Sequence, residues 1–383
     1  MPDVVQPQSE AELTDLVAGA SAPFEIIGTG TKRCFGRPVQ AAATLDLSHF
    51  SAIEVYEPEE LILEAGAGAR LADIESLVEA KGQQLAFEPP DLSKLLGSAH
   101  SGTLGGMISC NLAGPRRIKI GAARDHILGI RAVSGRGELF KAGARVVKNV
   151  TGYDLPKLLT GAHGTLAAIT SITLKVLPKP ETEETIVIDG LDDTEAVNAM
   201  SLAMQSPAEV AGAAFIPGEA VYLRLEGIGP SVVYRRDALA KLLGRPIQIL
   251  AAQSSRAKWQ AIRDCALLAD SQERLVWRLS VTPSDAPDIL AALKEQLDVR
   301  YFMDWAGGLI WLDVPPTEDT SATAIRAALG SGHATLIRAP EHVRATVDVF
   351  QPQPAALSAL SSRVKASFDP AHLFNPGRMY RGV

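Results

Sequence analysis

Three glycine-rich segments hold the residue types best suited to chemistry. The first, IIGTGTKRCFG at residues 26 to 36, runs a short apolar strand through Ile27 into Gly28, Thr29, Gly30 and Thr31. Successive glycines let backbone N–H groups point into one concavity, and threonine hydroxyls add donors, which together suit a pyrophosphate. A Rossmann fingerprint needs a third glycine where Arg33 stands, and a Walker A loop needs Gly-Lys-Ser/Thr, which is absent. Taken alone, the segment reads equally as a glycine turn after a strand.

The second, SGTLGGMISCNLAGPRRIKIGAARD at residues 101 to 125, has few bulky side chains before Arg116 and carries Thr103, Gly105 and Gly106 near its start. Backbone this bare can approach a diphosphate or a flat ring; the competing reading is a tightly packed loop. In the third, residues 148 to 178, Thr151-Gly152-Tyr153-Asp154-Leu155 opens a short helix with Asp154 at its favourable N-terminal end. Gly161-Ala162-His163-Gly164-Thr165 then turns into a β-branched strand containing Ile169. His163 reads equally as a hydrogen-bonding residue of a cofactor pocket and as a surface histidine.

The elements that must position these segments change character along the chain. The first 180 residues read as short strands, such as 24–27 and 61–65, joined by tight turns, with a helix over 71–81 stopped by Gly82. The run LPKPETEET marks a boundary. From residue 275 the pattern reads strand, helix, strand, strand, helix, strand, the order of a ferredoxin-like sandwich. The tail carries a helix over 355–368 and then DPAHLFNPGRMY, with a turn at Asn375-Pro376-Gly377. No internal repeat stands out. The expected domains are 1–178, 181–340 and a C-terminal segment 341–383.

Composition bounds what such a protein does. With 46% hydrophobic and 21% charged residues over 383 positions, the chain supports more than one packed core. A net charge of -7 argues against nucleic acid or an anionic membrane surface as partner. No apolar run is long enough to span a bilayer and no signal peptide is visible, so a cytoplasmic protein is expected, with any membrane association made through partners. Cys34, Cys110 and Cys265 lie far apart, without a C-x-x-C, and build neither an iron–sulfur nor a zinc site. The histidines show no metal-ligand spacing, and no G-x-S-x-G is present. Redox chemistry here needs an organic cofactor. Between Pro115 and Lys148, nine Lys and Arg face only Asp125 and Glu138, which reads as a solvated surface or as a patch facing a diphosphate or an acidic partner.

GTGT, then GTLGG followed by GAARD, then TGYDLPKLLTGAHGTLAAIT, and finally DPAHLFNPGRM occur in that order. Together they resemble the FAD-binding domain of the vanillyl-alcohol oxidase and p-cresol methylhydroxylase (PCMH) superfamily, nearest the FAD-binding subunits of bacterial glycolate oxidases. The resemblance implies an α+β protein: a PCMH-type FAD-binding domain of two α/β subdomains, then a ferredoxin-like antiparallel cap. It implies that Ile27 and Gly28 to Thr31 cradle the pyrophosphate of a non-covalently held FAD, and that Thr103, Gly105 and Gly106 complete the phosphate and ribityl contacts. By the same carry-over Asp125 and Ile127 line the dinucleotide, Gly164, Thr165 and Ile169 pass the adenine and diphosphate, and Asn375 returns to the flavin side.

The implied partners are a larger FAD-containing subunit and an iron–sulfur subunit, and the implied reaction is oxidation of glycolate to glyoxylate. A self-sufficient FAD-dependent oxidoreductase of 2-hydroxy acids or alcohols, and a non-catalytic scaffold, remain open. Relatives that oxidise 2-hydroxy acids alone resemble one another in a cap histidine cluster, whereas residues 181–340 here contain only His333. No catalytic residue or metal ligand is assigned; Arg278, Arg300 and Arg378 are candidates to clamp a carboxylate.

Overall fold

The computed structural model describes residues 3–145, 152–316 and 320–383. The chain divides into two compact units, one taking residues 1–113, 121–179 and 352–383, the other 114–120 and 180–351.

In the first unit β1 (Asp3–Val5), β2 (Phe24–Ile27) and β3 (Ala43–Asp46) form a parallel sheet in the order β1-β3-β2. An antiparallel sheet follows in the order β4-β5-β9-β7-β8, from β4 (Ile53–Glu57), β5 (Ile62–Gly66), β7 (Ile127–Ser134), β8 (Leu139–Gly143) and β9 (Ala167–Lys175). The short strands β6 (Gln83–Gln84) and β10 (Leu177–Pro178) pair as a separate ribbon. Strand β9 is central and buried along almost its whole length, and its isoleucines and threonines suit a position covered on both faces. The helix Glu10–Ala18 starts at Ser9, whose hydroxyl accepts from Glu12 N, and buries Leu13 and Val17 one turn apart.

The tail belongs to this core. Phe24 N donates to Leu373 O at 2.7 Å and Asn375 N to Phe24 O at 3.0 Å, so residues 373–375 run alongside β2. Leu373 and Phe374 pack with Leu13, Val17, Phe24 and Leu45, burial of the kind that contributes about 1.5–3 kcal/mol per large apolar side chain.

The second unit is built on an antiparallel sheet that, among the described residues, has eight strands. They are β11 (Thr182–Asp189), β12 (Gly212–Ile216), β13 (Ala220–Gly227), β14 (Gln248–Leu250), β15 (Leu275–Ser280), β16 (Arg300–Asp304), β17 (Leu309–Val314) and β18 (His333–Arg338). Their order is β14-β11-β13-β12-β16-β17-β15-β18. The last four strands, with helices Ala286–Lys294 and Thr320–Leu329, make the expected ferredoxin-like unit. The first four, with helices Asp193–Gln205 and Gly229–Leu243, repeat its chain order and its strand order, and the halves meet where Phe215 of β12 pairs with Met303 of β16.

No repeat stands out in the sequence, yet the unit is built from two copies of one topology. Its first copy escapes sequence reading because β12 is GAAFI and β14 only three residues long, too small and too short to carry a period. The sequence division also differs at 114–120 and 341–351, both of which join the second unit; Leu336 N of β18 donates to Val349 O at 2.8 Å, which fastens the latter stretch.

Candidate functional site

The loop after β2 is an anion cradle by its hydrogen bonding. Among the described residues, nothing accepts from the backbone N–H groups of Gly28, Thr29, Gly30 or Thr31, so a run of donors is left for a ligand. Thr29 Oγ1 donates to Ser101 O at 2.8 Å, which ties this loop to the second glycine segment. Gly30 lies at φ +74°, left-handed backbone that glycine adopts freely.

Thr103 caps the helix Leu104–Ser109, its Oγ1 accepting from Gly106 N at 3.3 Å. The two glycines after it do different things. A Cβ on Gly105 would stand 2.8 Å from Ala67 Cβ and 2.9 Å from Ala67 O, so that residue is small to let the helix pack on the turn after β5. A Cβ on Gly106 would point at Thr103 Oγ1 and at Lys32 Nζ, 3.5 Å away. Lys32, absent from the sequence reading, is half-buried at this edge, its Nζ donating to Thr31 Oγ1 at 3.3 Å, and burial pulls its pKa below the usual lysine range.

These segments line one pocket of the first unit, which encloses about 730 Å³ including its open mouth. Of the expected site residues it brings together Ile27, Gly28, Thr29, Gly30, Thr31, Thr103, Gly105, Gly106, Gly164, Ile169 and Asn375. Asp125, Ile127 and Thr165 do not line it. Asp125 is exposed and its Oδ2 accepts from Ala122 N, Ile127 is buried at the start of β7, and Thr165 Oγ1 donates to Ala162 O.

His163 is buried rather than superficial, at φ +52°. Its ring meets Phe35 edge-on with centroids 5.0 Å apart, and its Nδ1 is 3.6 Å from Cys110 Sγ. Burial, reinforced by the Arg378 charge, pushes its pKa down to about 3, so the ring is neutral. Asn375 is a bracket: Oδ1 accepts from Ile26 N at 2.9 Å and Nδ2 donates to His163 O at 2.9 Å, joining β2 to the His163-Gly164 turn. Asp154 caps the helix Leu155–Leu159 as expected, and Tyr153 is exposed.

The basic stretch 115–148 is not one patch. Arg116 is buried and grips Glu226 through Nε and Nη2 at 2.6–3.0 Å. Arg131 pairs with Glu10, Glu54 and Glu64, and Arg145 with Glu64, while Lys148 lies outside the described residues. These arginines are spent inside the fold, with partners too distant in sequence for a local charge count to find.

The three candidate clamps separate in the same way. Arg300 is held by Asp270 and Asp313, and Arg378 by Glu25 and the carbonyl of Arg33. Arg278 has no hydrogen-bond acceptor among the described residues. Its guanidinium lies 5.0 Å from the ring centre of Trp305 and 5.9 Å from that of Trp311, its cross-strand neighbour, and Arg117 stacks on Trp305 at 4.4 Å. Burial and the nearby Arg117 charge lower the Arg278 pKa to about 10, which leaves it cationic at neutral pH. Trp305 and Ala306 take left-handed φ of +51° and +55° in the β16–β17 turn, a strain found more often at working sites than in idle turns.

Comparison with known proteins agrees with this geometry. Residues 2–143 match the model of the FAD binding domain, FAD_binding_4. The glycolate oxidase subunit GlcE of Escherichia coli (strain K12) is 35% identical over 373 residues, covering 97% of each chain. The glycolate oxidase subunit GlcD of Bacillus subtilis (strain 168) is 34% identical over 192 residues, 49% of this chain and 39% of that protein. In fold, the chain is similar to p-cresol methylhydroxylase with substrate bound, at a TM-score of 0.73 and 16% identity over 98% of this chain and 88% of that one. The free N–H donors after β2, the lysine beside them and the bare face at Gly106 fit the diphosphate of such a cofactor. The chain belongs to the family of the glycolate oxidase subunit GlcE and is an FAD-binding oxidoreductase component of the PCMH-type fold.

Proposed function

We propose that this chain is the FAD-binding subunit of a complex that oxidises glycolate to glyoxylate and passes the electrons to an iron–sulfur partner. The observation that carries the reading is the end-to-end match to a glycolate oxidase subunit, 97% of both chains. The chemistry that FAD would supply in this pocket is acceptance of a hydride equivalent from a hydroxy acid and onward transfer of its two electrons. The residues of this chain hold and orient. The N–H groups of Gly28 to Thr31 take the diphosphate, and Lys32 Nζ adds a positive charge at its edge. The neutral His163 ring and Phe35 form an apolar wall of the same pocket. Within the second unit, Arg278 is the candidate to hold a carboxylate, since among the described residues it alone of the three clamps has no hydrogen-bond acceptor.

Removing the hydroxyl proton of the substrate requires a base within hydrogen-bond reach of it. The single histidine of residues 181–340, His333, is exposed at the start of β18, and His163 is kept neutral by burial rather than poised near pH 7. The proton acceptor is therefore assigned to another subunit. Three cysteines are too few for a four-thiolate cluster, so the electron carrier is placed on a partner too.

The test is co-purification with the partner subunits followed by glycolate-dependent reduction of a dye. Activity is expected from the assembled complex and its loss when Gly106→Val empties the flavin pocket. Full activity without flavin in this chain would overturn the reading.

A further inference from the structure

The loop that carries Arg117 is fixed from several directions. Gly114 O accepts from Arg117 N and from Trp305 Nε1, both at 3.1 Å, so the backbone of one stacking partner and the ring of the other converge on a single carbonyl. Arg116 O accepts from Lys119 N and Ile120 N at 2.9 Å, which closes the turn that follows Arg117. The Arg116 side chain leaves in another direction and forks onto Glu226 of β13.

Glu226 is itself held. Arg224 Nε lies 3.3 Å from its carboxylate, and its carbonyl accepts from Arg235 Nη2 at 2.6 Å. Glu183, its cross-strand neighbour on β11, stands 4.0 Å from Arg116 and receives Ser255 Oγ at 2.6 Å. Two arginines thus face two glutamates in a buried, charge-balanced group, the setting in which a bidentate guanidinium pair fixes geometry best.

We propose that Arg116 is the positioning residue of an anion site made by Arg117, Trp305 and Arg278. Its pair with Glu226 anchors the loop to the sheet and sets Arg117 over the indole whose other guanidinium neighbour is Arg278. The ligand class is a small carboxylate, and the inference rests on the reading of Arg278 as the carboxylate holder. Neighbouring residues divide the labour: Arg116 is spent on the fold so that Arg117 is held in place beside an arginine of the same charge.

The experiment measures oxalate binding by calorimetry to the full-length, flavin-loaded chain, with affinity expressed per folded molecule. Arg278→Met is expected to abolish measurable binding, and Arg116→Gln to weaken it about tenfold through displacement of Arg117, with flavin content unchanged. Arg116→Lys, which keeps the charge but loses the fork, should fall between. Glu226→Gln should reproduce the Arg116→Gln defect, and the double variant should be no worse than either single one.

If Arg278→Met weakens oxalate binding while Arg116→Gln and Glu226→Gln stay within twofold of the original chain, the positioning role is wrong and the Arg278 reading survives. If the original chain does not bind oxalate, or Arg278→Met binds it as well, both are wrong. A lowered melting temperature with unchanged affinity in the Glu226→Gln variant would reduce the pair to a structural tie and overturn the proposal.

Discussion

Lys365 Nζ lies 2.7 Å from Asp369 Oδ2, one helical turn away, with both residues fully buried. The remaining donors of the ammonium reach Thr165 O at 2.6 Å and Phe374 O at 2.9 Å, and the carboxylate accepts from Leu373 N and Phe374 N. The pair therefore latches the tail, and with it Asn375, onto the turn that enters β9. Removing one partner leaves the other charged and buried, a loss of about 3–5 kcal/mol. Lys365→Met is expected to lower stability by that amount in denaturant unfolding and to weaken flavin binding. The double variant Lys365→Met, Asp369→Leu should recover part of the loss. Equal stability of the single variant and the original chain would show that the latch is idle.

Gly105 and Gly106 are adjacent but separate two kinds of damage. Gly105→Val drives a side chain into Ala67, including its carbonyl at 2.9 Å, and should cost folding itself. Gly106→Val fills the space in front of Thr103 Oγ1 and Lys32 Nζ, and should leave a folded but colourless protein. Melting curves read beside the visible flavin absorbance distinguish the two. A yellow Gly106→Val variant would remove the diphosphate from that face.

The glycine loops are legible in the sequence because glycine and threonine signal a bare backbone whatever surrounds them. The partners that complete the site are less so. Lys32 follows GTGT directly, yet only the fold shows its Nζ close to Gly102 and Gly106. Asn375 reads as a turn residue, but its bonds to Ile26 and His163 span 349 and 212 positions. Arg116 looks like surface charge until Glu226, 110 residues later, is brought against it. The i,i+4 spacing of Lys365 and Asp369 is visible in the sequence, though nothing local says that the pair is buried. Local chemistry can be read from spacing, whereas a long-range pairing needs the topology.

His163 makes stability depend on pH in a definite direction. Its folded pKa of about 3 lies below the ordinary 6.5. Above pH 6.5 both states hold the ring neutral and nothing changes. Below it the unfolded chain takes up a proton that the folded chain refuses, so stability falls by up to about 1.4 kcal/mol per pH unit, down to the folded pKa. In flavin-free protein, His163→Asn, chosen because asparagine tolerates left-handed backbone, should flatten the decline in melting temperature between pH 7 and pH 5. Parallel declines in the two proteins would show that His163 is accessible to protons in the folded state.

The central claim, that this chain carries flavin for a reaction it does not complete alone, is tested most directly by anaerobic bleaching. The purified yellow chain is mixed with glycolate in the absence of oxygen, first by itself and then with its partner subunits, while flavin absorbance is followed. Acid precipitation beforehand should release the colour, since the FAD is proposed to be held without a covalent bond. The chain alone is expected to stay yellow and the assembled complex to bleach rapidly. Rapid bleaching of the lone chain would contradict the account and place the proton acceptor within this chain.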